Sequence, residues 1–121
     1  MAPSVALMAW ALAFASAHSG LPIVPGAEPQ IAMRQLSAVH SGETDPTTGR
    51  ISLQPTWRAG PEGACALAHE MTHLLQVKNR MALTDRRAIE AQALAVSAAC
   101  FDAFGLHGRA NYDRQMMGVW E

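Results

Sequence analysis

The chain has 121 residues, half of them hydrophobic, and its nine basic and ten acidic residues leave a net charge of -1. A chain of this length folds around a single core, so we expect one domain over residues 1–121. The basic residues form no cluster in the sequence, which excludes a surface that follows a phosphate backbone. Nucleic acid is therefore not an expected partner.

Residues 5–17 are almost wholly apolar, and two interpretations stay open. The run is shorter than the roughly 20 residues that span a bilayer, so no membrane span is expected. A signal peptide would explain the run and the small residues at 15–17, and would place the protein in a secreted or periplasmic location, although no positive charge precedes the run. A core helix would explain the steps between Leu7, Trp10 and Phe14, and would favour a cytoplasmic location or a place within an assembly.

Residues 39–54 predict a β-hairpin. An Asp-Pro turn over residues 44–49 separates two short segments, and Ile51 and Leu53 alternate with polar neighbours. The second strand is therefore expected to have one buried face and one wet face. Residues 30–39 before it fit a short helix or a strand equally well.

Residues 60–78 predict a long helix that carries the pattern H-E-x-x-H. Proline follows Gly60, as is common at the first position of a helix. His69 and His73 are four residues apart, so their Cβ atoms lie about 5–6 Å apart on one face and both imidazoles can converge on one metal ion. Glu70 points slightly aside, where a carboxylate can act as a general base. Apolar neighbours at helical spacing disfavour the alternative of two surface histidines on a core helix.

The H-E-x-x-H pattern resembles the zincin metallopeptidases. The resemblance implies a bound Zn²⁺, a peptide or protein substrate, and hydrolysis of the peptide bond by a zinc-activated water with Glu70 as the general base. It also implies that an edge strand, here residues 51–54, runs beside the cleft and pairs with the substrate backbone. The alternative, an ordinary hairpin that packs on the helices, stays open. A non-catalytic, zinc-stabilised binding or assembly module on a peptidase scaffold is the competing function; Glu70 favours the enzyme, because a structural site needs no base.

A second helix is expected over residues 84–104, capped by Thr84, and it offers the third metal ligand. His73 and Glu90 lie at equal distances from the turn between the two helices, so an antiparallel pair brings them level. Asp85 lies too near the turn, and Asp102 lies too far from it. Glu90 is therefore the predicted third ligand, in an arrangement that resembles the gluzincins.

Departures from neighbouring families narrow the resemblance. Metzincins continue with a glycine and a histidine where this chain has Gln76 and Asn79, so that branch is excluded. Thermolysin-like enzymes place an aspartate where this chain has Leu94. The short spacing between the ligands is closer to the small single-domain minigluzincins. Three residues remain as weak candidates for orienting the ligands: Thr72, Gln92 and Asn111.

A donor for the developing oxyanion is expected in the segment after Gly105. Tyr112 is the residue we predict there, with His107 and Arg109 in the same segment and His40 by the hairpin as the alternatives. A domain this small does not show where the other wall of the cleft comes from, so a partner protein or a second copy of the chain is a further expected partner.

Cys65 and Cys100 are the only cysteines, and both fall inside predicted helices. Counting residues from the turn between the two antiparallel helices, as for His73 and Glu90, places the two cysteines near each other. Ordinary helix pairs keep Cα atoms farther apart than the roughly 7 Å that a disulfide tolerates, so free thiols are expected unless the alanine-rich seam is unusually tight.

Together these patterns predict an α+β fold, namely a zincin-like single domain. A helical hairpin carries H-E-x-x-H and the downstream glutamate, and it packs with a small antiparallel β-hairpin and an N-terminal helix.

Overall fold

The computed structural model describes residues 1–82 and 84–120, with no description of the side chains of 119 and 120. The fold is α+β, as expected. In chain order the elements are α1 (Val5–Ser19), β1 (Ile31–Met33), β2 (Gly42–Thr44), β3 (Ile51–Leu53), α2 (Pro61–Lys78), α3 (Arg86–Ala103) and α4 (His107–Trp120).

Helix α1 packs against α2 and α3 as part of the main core. The Ser4 hydroxyl accepts a hydrogen bond from the Leu7 amide at its start, and Gly20 ends it in the left-handed conformation. Its buried residues are Ala11, Leu12 and Ala15. The buried face of α1 therefore differs from the expected one, which included Trp10, because Trp10 is 37% exposed. None of the described helices is both apolar enough and long enough to cross a bilayer.

The three strands form one sheet in the order β1-β3-β2, so β3 is its central strand. Strand β3 pairs in parallel with β1 and antiparallel with β2. The predicted hairpin is present, but the prediction that residues 51–54 form the edge strand is wrong. For residues 30–39 the sequence allowed a helix or a strand, and the structure shows a strand, β1. Strand β1 pairs with one edge of β3 and β2 pairs with the other. The two edge strands of the sheet are therefore β1 and β2.

Both faces of β3 are buried, which contradicts the expected wet face. Ile51 and Leu53 are fully buried, and Ser52 is 6% exposed. The Arg34 guanidinium crosses above Ser52 and donates a hydrogen bond to its hydroxyl at 2.9 Å. A long arginine side chain therefore covers the face that the alternation assigned to solvent.

A disulfide joins Cys65 of α2 to Cys100 of α3, with the Cα atoms 5.5 Å apart, so the expectation of free thiols is wrong. Small residues explain the close approach. Ala64 and Ala68 on α2 and Ala93 on α3 are almost fully buried. Helices that meet through alanines approach more closely than helices that meet through large side chains.

Helix α3 begins after Asp85, not after Thr84 as expected. The Asp85 carboxylate accepts a hydrogen bond from the Ala88 amide at 3.2 Å, which makes Asp85 the cap. The helix ends at Ala103, just before Gly105, which takes a positive φ of 76°. The segment beyond, which the sequence left unassigned, forms α4 and packs on α3.

Candidate metal centre

The side chains of His69, His73 and Glu90 converge on one point between α2 and α3. One carboxylate oxygen of Glu90 lies 3.5 Å from His73 Nε2, and the other lies 3.9 Å from His69 Nε2. The two imidazole rings are 5.0 Å apart, edge to face. All three ligand atoms lie within 4.8 Å of one another. Ligand atoms around a tetrahedral ion at about 2.1 Å are about 3.4 Å apart, so a small divalent cation fits with minor side-chain adjustment.

The helix pair positions these groups with little freedom. His69 and His73 project from one face of α2, whose opposite side is fixed in the core by Leu67, Met71 and other fully buried residues. The side chain of His69 is 21% exposed and that of His73 is 15% exposed. The site is thus set in the protein surface, with an opening for a substrate.

Burial keeps His69 uncharged. Desolvation, with a smaller contribution from the charge of His73, lowers the pKa of His69 to about 3. The imidazole is therefore neutral at neutral pH, which is the form that binds a metal ion.

Gln76 fixes the orientation of the His73 ring. Its amide nitrogen donates to the Ile89 carbonyl oxygen at 3.0 Å and to the Gln92 side-chain oxygen at 2.9 Å. Because the Ile89 carbonyl can only accept, the Gln76 amide oxygen must be the atom that faces His73 Nδ1, at 2.8 Å. Nδ1 then carries the hydrogen, and Nε2 is free to bind a metal ion on the side of Glu90.

The residues that the sequence suggested for this orienting role have other partners. Gln92 contacts Gln76 and also donates to the Ser19 carbonyl, so it supports His73 only indirectly. The Thr72 hydroxyl donates to a carbonyl of its own helix, and Asn111 pairs with Arg114 on α4. Gln76 was missed, although its position three residues after His73 places both side chains on the same helix face.

Glu70 is buried beside the three converging groups and is held by strand β2. The Thr44 hydroxyl donates to a Glu70 carboxylate oxygen at 2.7 Å. Burial raises the pKa of Glu70, and the charge of His73 and the Thr44 hydrogen bond act against that rise. Gly42 permits the close approach of the strand, because a Cβ there would lie 3.0 Å from Glu70 Cγ.

Two cavities lie on either side of these groups, and they share four lining residues: His40, Gly42, His69 and Glu70. The first cavity, of about 840 Å³, runs along β2 and the C-terminal half of α2 and also contains His73 and Glu90. The second, of about 1240 Å³, runs between the N-terminal half of α2, the loop before it and α4. Because His69 and Glu70 line both cavities, the two cavities meet at the site, and together they are its cleft.

The predicted oxyanion donors occupy different parts of this cleft. Tyr112 is 57% exposed on α4 and lines the second cavity only. His40 lines both cavities. Its loop is held by Gln54, whose side-chain nitrogen donates to the carbonyls of Ser37 and His40 at 2.9 and 3.0 Å. His107 pairs with Asp102, and Arg109 packs over the Phe101 ring, so both have structural partners.

Two histidines and a glutamate around one point could hold a metal ion, with the buried Glu70 carboxylate beside them in an open cleft. A family model described as "Putative metallopeptidase family (DUF6782)" matches residues 2–106, and the chain belongs to this family. No curated protein and no solved structure matches the chain. The family description agrees with the class of site and names neither the metal nor a subgroup.

Proposed function

We propose that the protein is a zinc-dependent metallopeptidase of the gluzincin type, with residues 1–121 as its single catalytic domain. His69, His73 and Glu90 are the metal ligands in this proposal, and Glu70 is the general base. The observation that supports it most directly is the Glu90 carboxylate, which has one oxygen 3.5 Å from His73 Nε2 and the other 3.9 Å from His69 Nε2.

The donor set favours zinc. Two imidazole nitrogens and one carboxylate oxygen are ligands that Zn²⁺ takes in catalytic sites, whereas Ca²⁺ and Mg²⁺ prefer oxygen ligands. Three protein ligands leave the fourth position open for solvent or substrate, as catalysis requires. A closed structural site would need a fourth protein ligand, which the group identified among the described residues does not include.

Zn²⁺ held by these ligands would lower the pKa of a solvent molecule and polarise the scissile carbonyl. Glu70 takes a proton from the attacking water and then transfers it to the departing amine. The burial that raises the pKa of Glu70 brings that carboxylate closer to the neutral range, where it can both accept and release a proton. The Thr44 hydroxyl holds the carboxylate in place during both transfers.

Strand β2 is the proposed platform for the substrate backbone. One side of β2 pairs with β3, and within the described residues no strand pairs with its other side. Gly42, Glu43 and Thr44 all line the first cavity next to the metal centre. The unpaired amides and carbonyls of an edge strand bind an extended peptide by adding it to the sheet. The role that the zincin resemblance implied for residues 51–54 therefore passes to β2.

His40 and Tyr112 are the two proposed oxyanion donors, and the lining of the cleft favours His40. A donor must reach the carbonyl that is attacked, so it has to border the cleft next to the metal centre. His40 lines both cavities where they meet at His69 and Glu70. Tyr112 borders the second cavity only, and its ring is largely exposed.

Metal analysis combined with a peptidase assay tests the proposal. The protein purified without added zinc is expected to contain close to one zinc per chain and to cleave an unstructured protein such as casein. Glu90→Gln is expected to lose most of the metal, while Glu70→Gln keeps the metal and loses cleavage. Glu28→Gln is the matched control, since Glu28 is exposed and lines neither cavity.

Two outcomes would contradict the proposal. Full zinc content in Glu90→Gln would remove Glu90 from the ligand set. Stoichiometric zinc in a wild-type protein that cleaves no member of a broad peptide library would instead favour the metal-stabilised binding module.

A further inference from the structure

Three arginines from three separate elements line the first cavity. Arg34 follows β1, Arg50 precedes β3 and Arg86 begins α3. Arg50 stands on the wall formed by the β2–β3 hairpin, and Arg86 stands on the wall formed by α3. The fold thus brings together cations that are far apart in the sequence.

The acidic residues of the same cavity are already engaged. The Glu43 carboxylate pairs with Arg34 at 3.3 Å. The Asp45 carboxylate accepts hydrogen bonds from the amides of Thr47 and Thr48 at 2.7 and 3.1 Å, which lower the pKa of Asp45. In the proposed enzyme, a divalent cation balances Glu70 and Glu90.

Arg50 acts on its neighbour Asp45 through charge alone, and this charge is the weakest of the influences on the pKa of Asp45. Across residues 1–82 and 84–120, the Arg50 guanidinium makes no hydrogen bond or ion pair. The second cavity differs, because apart from the shared Glu70 its two arginines are matched by two acids, Glu62 and Asp113, and one pair, Arg109 with Glu62, is 3.5 Å apart. With a divalent cation at the metal centre, the ion and the three arginines would exceed the four carboxylates of the first cavity by one positive charge. That excess would lie in the half of the cleft beyond His73.

We propose that this half of the cleft binds an acidic side chain of the substrate, with Arg50 as the principal partner and Arg86 facing it from the other wall. The inference rests on the proposed peptidase function and adds the substrate class: peptides with Asp or Glu on one side of the scissile bond. A guanidinium matches a carboxylate with two parallel N–H donors, and such charge-assisted pairs are stronger than neutral hydrogen bonds.

The test compares two fluorogenic peptides that differ only by Glu or Gln at one position. A peptide library digested by the zinc-loaded protein and analysed by mass spectrometry first identifies the cleavage site and the position to vary. The expected result is enrichment of Asp and Glu on one side of the cut, and a kcat/KM about tenfold higher for the Glu peptide, as one charge-assisted contact provides.

Arg50→Gln is expected to lower kcat/KM for the Glu peptide and so to bring the ratio of the two kcat/KM values close to one. Arg87→Gln is the matched control, because Arg87 follows Arg86 on α3, carries the same charge and lines neither cavity. It should keep the tenfold ratio. Equal cleavage of the two peptides by the wild type, or an unchanged ratio in Arg50→Gln, would overturn the inference.

A binding measurement separates this inference from the peptidase function. The Kd of each peptide is measured by fluorescence polarisation with the zinc-loaded Glu70→Gln variant, which leaves the peptides intact. Tighter binding of the Glu peptide that disappears in Glu70→Gln/Arg50→Gln supports the acidic subsite even if the wild type proves inactive. Equal Kd values for both peptides would refute it whatever the activity.

Discussion

Breaking the disulfide between α2 and α3 should cost the protein a large part of its stability. The two cysteines are 35 residues apart in the sequence, and a link that closes a loop of this length lowers the entropy of the unfolded chain by an amount worth about 4 kcal/mol. Domains of this size are stable by only about 5–15 kcal/mol. Reduction of the bond is therefore expected to leave a folded but marginal protein.

Urea denaturation with a chelator present measures this cost without a contribution from bound metal. With a urea dependence of about 2 kcal/mol per molar, the midpoint of the reduced wild type should fall by about 2 M. The variant Cys65→Ala/Cys100→Ala should behave like the reduced protein, apart from the packing lost at two fully buried positions. Identical midpoints for the oxidised and reduced wild type would refute the reasoning, because they would mean that the link does not restrict the unfolded chain.

Three further predictions follow from the site and its surroundings. Gln76→Leu should weaken zinc binding by about 10–100-fold, because the His73 ring loses the group that orients it. Thr72→Val, an equally buried change on the same helix, is the control and should leave the Kd for zinc unchanged. Competition with a chelating dye measures both Kd values. His40→Gln should lower kcat by about 100-fold at full zinc content while Tyr112→Phe changes it by less than about twofold, and the reverse order would assign the oxyanion to Tyr112. Burial raises the pKa of Asp113, so its carboxyl stays protonated to a higher pH in the folded protein than in the unfolded chain. The free energy of unfolding should therefore fall as the pH rises from the pKa of Asp113 in the unfolded chain through its pKa in the folded protein. Asp113→Asn should remove this decrease in stability, so the urea midpoints of the variant and the wild type should converge at low pH and separate at neutral pH. A difference between the two midpoints that does not change with pH would contradict the raised pKa of Asp113.

The convergence of His69, His73 and Glu90 could be predicted from the sequence because helical geometry is regular. The spacing of His69 and His73 places both rings on one face, and counting residues from the turn brings Glu90 level with them. The limits of α2 were also predictable, since Gly60 and Pro61 mark its start and Lys78 lies in its last turn.

The features that the sequence did not predict depend on contacts between segments that are distant in the sequence. Each strand has only three residues, too few for a period to show which strand is central. The link between Cys65 and Cys100 depends on how closely two helices approach, and the hold of Thr44 on Glu70 depends on how a strand crosses a helix. The arginines of the first cavity show no cluster in the sequence, because three different elements contribute them.

The two halves of the cleft meet at His69 and Glu70, and in the proposed peptidase this arrangement would determine where a bound chain is cut. An enzyme that trims residues from a terminus closes one end of its groove and holds the terminal charge there. In the proposed peptidase, a polypeptide would lie across the reacting groups with its backbone extending past them at both ends, so the bond that is cut would be an internal one. Digestion would then yield a few long fragments in place of a ladder of single amino acids.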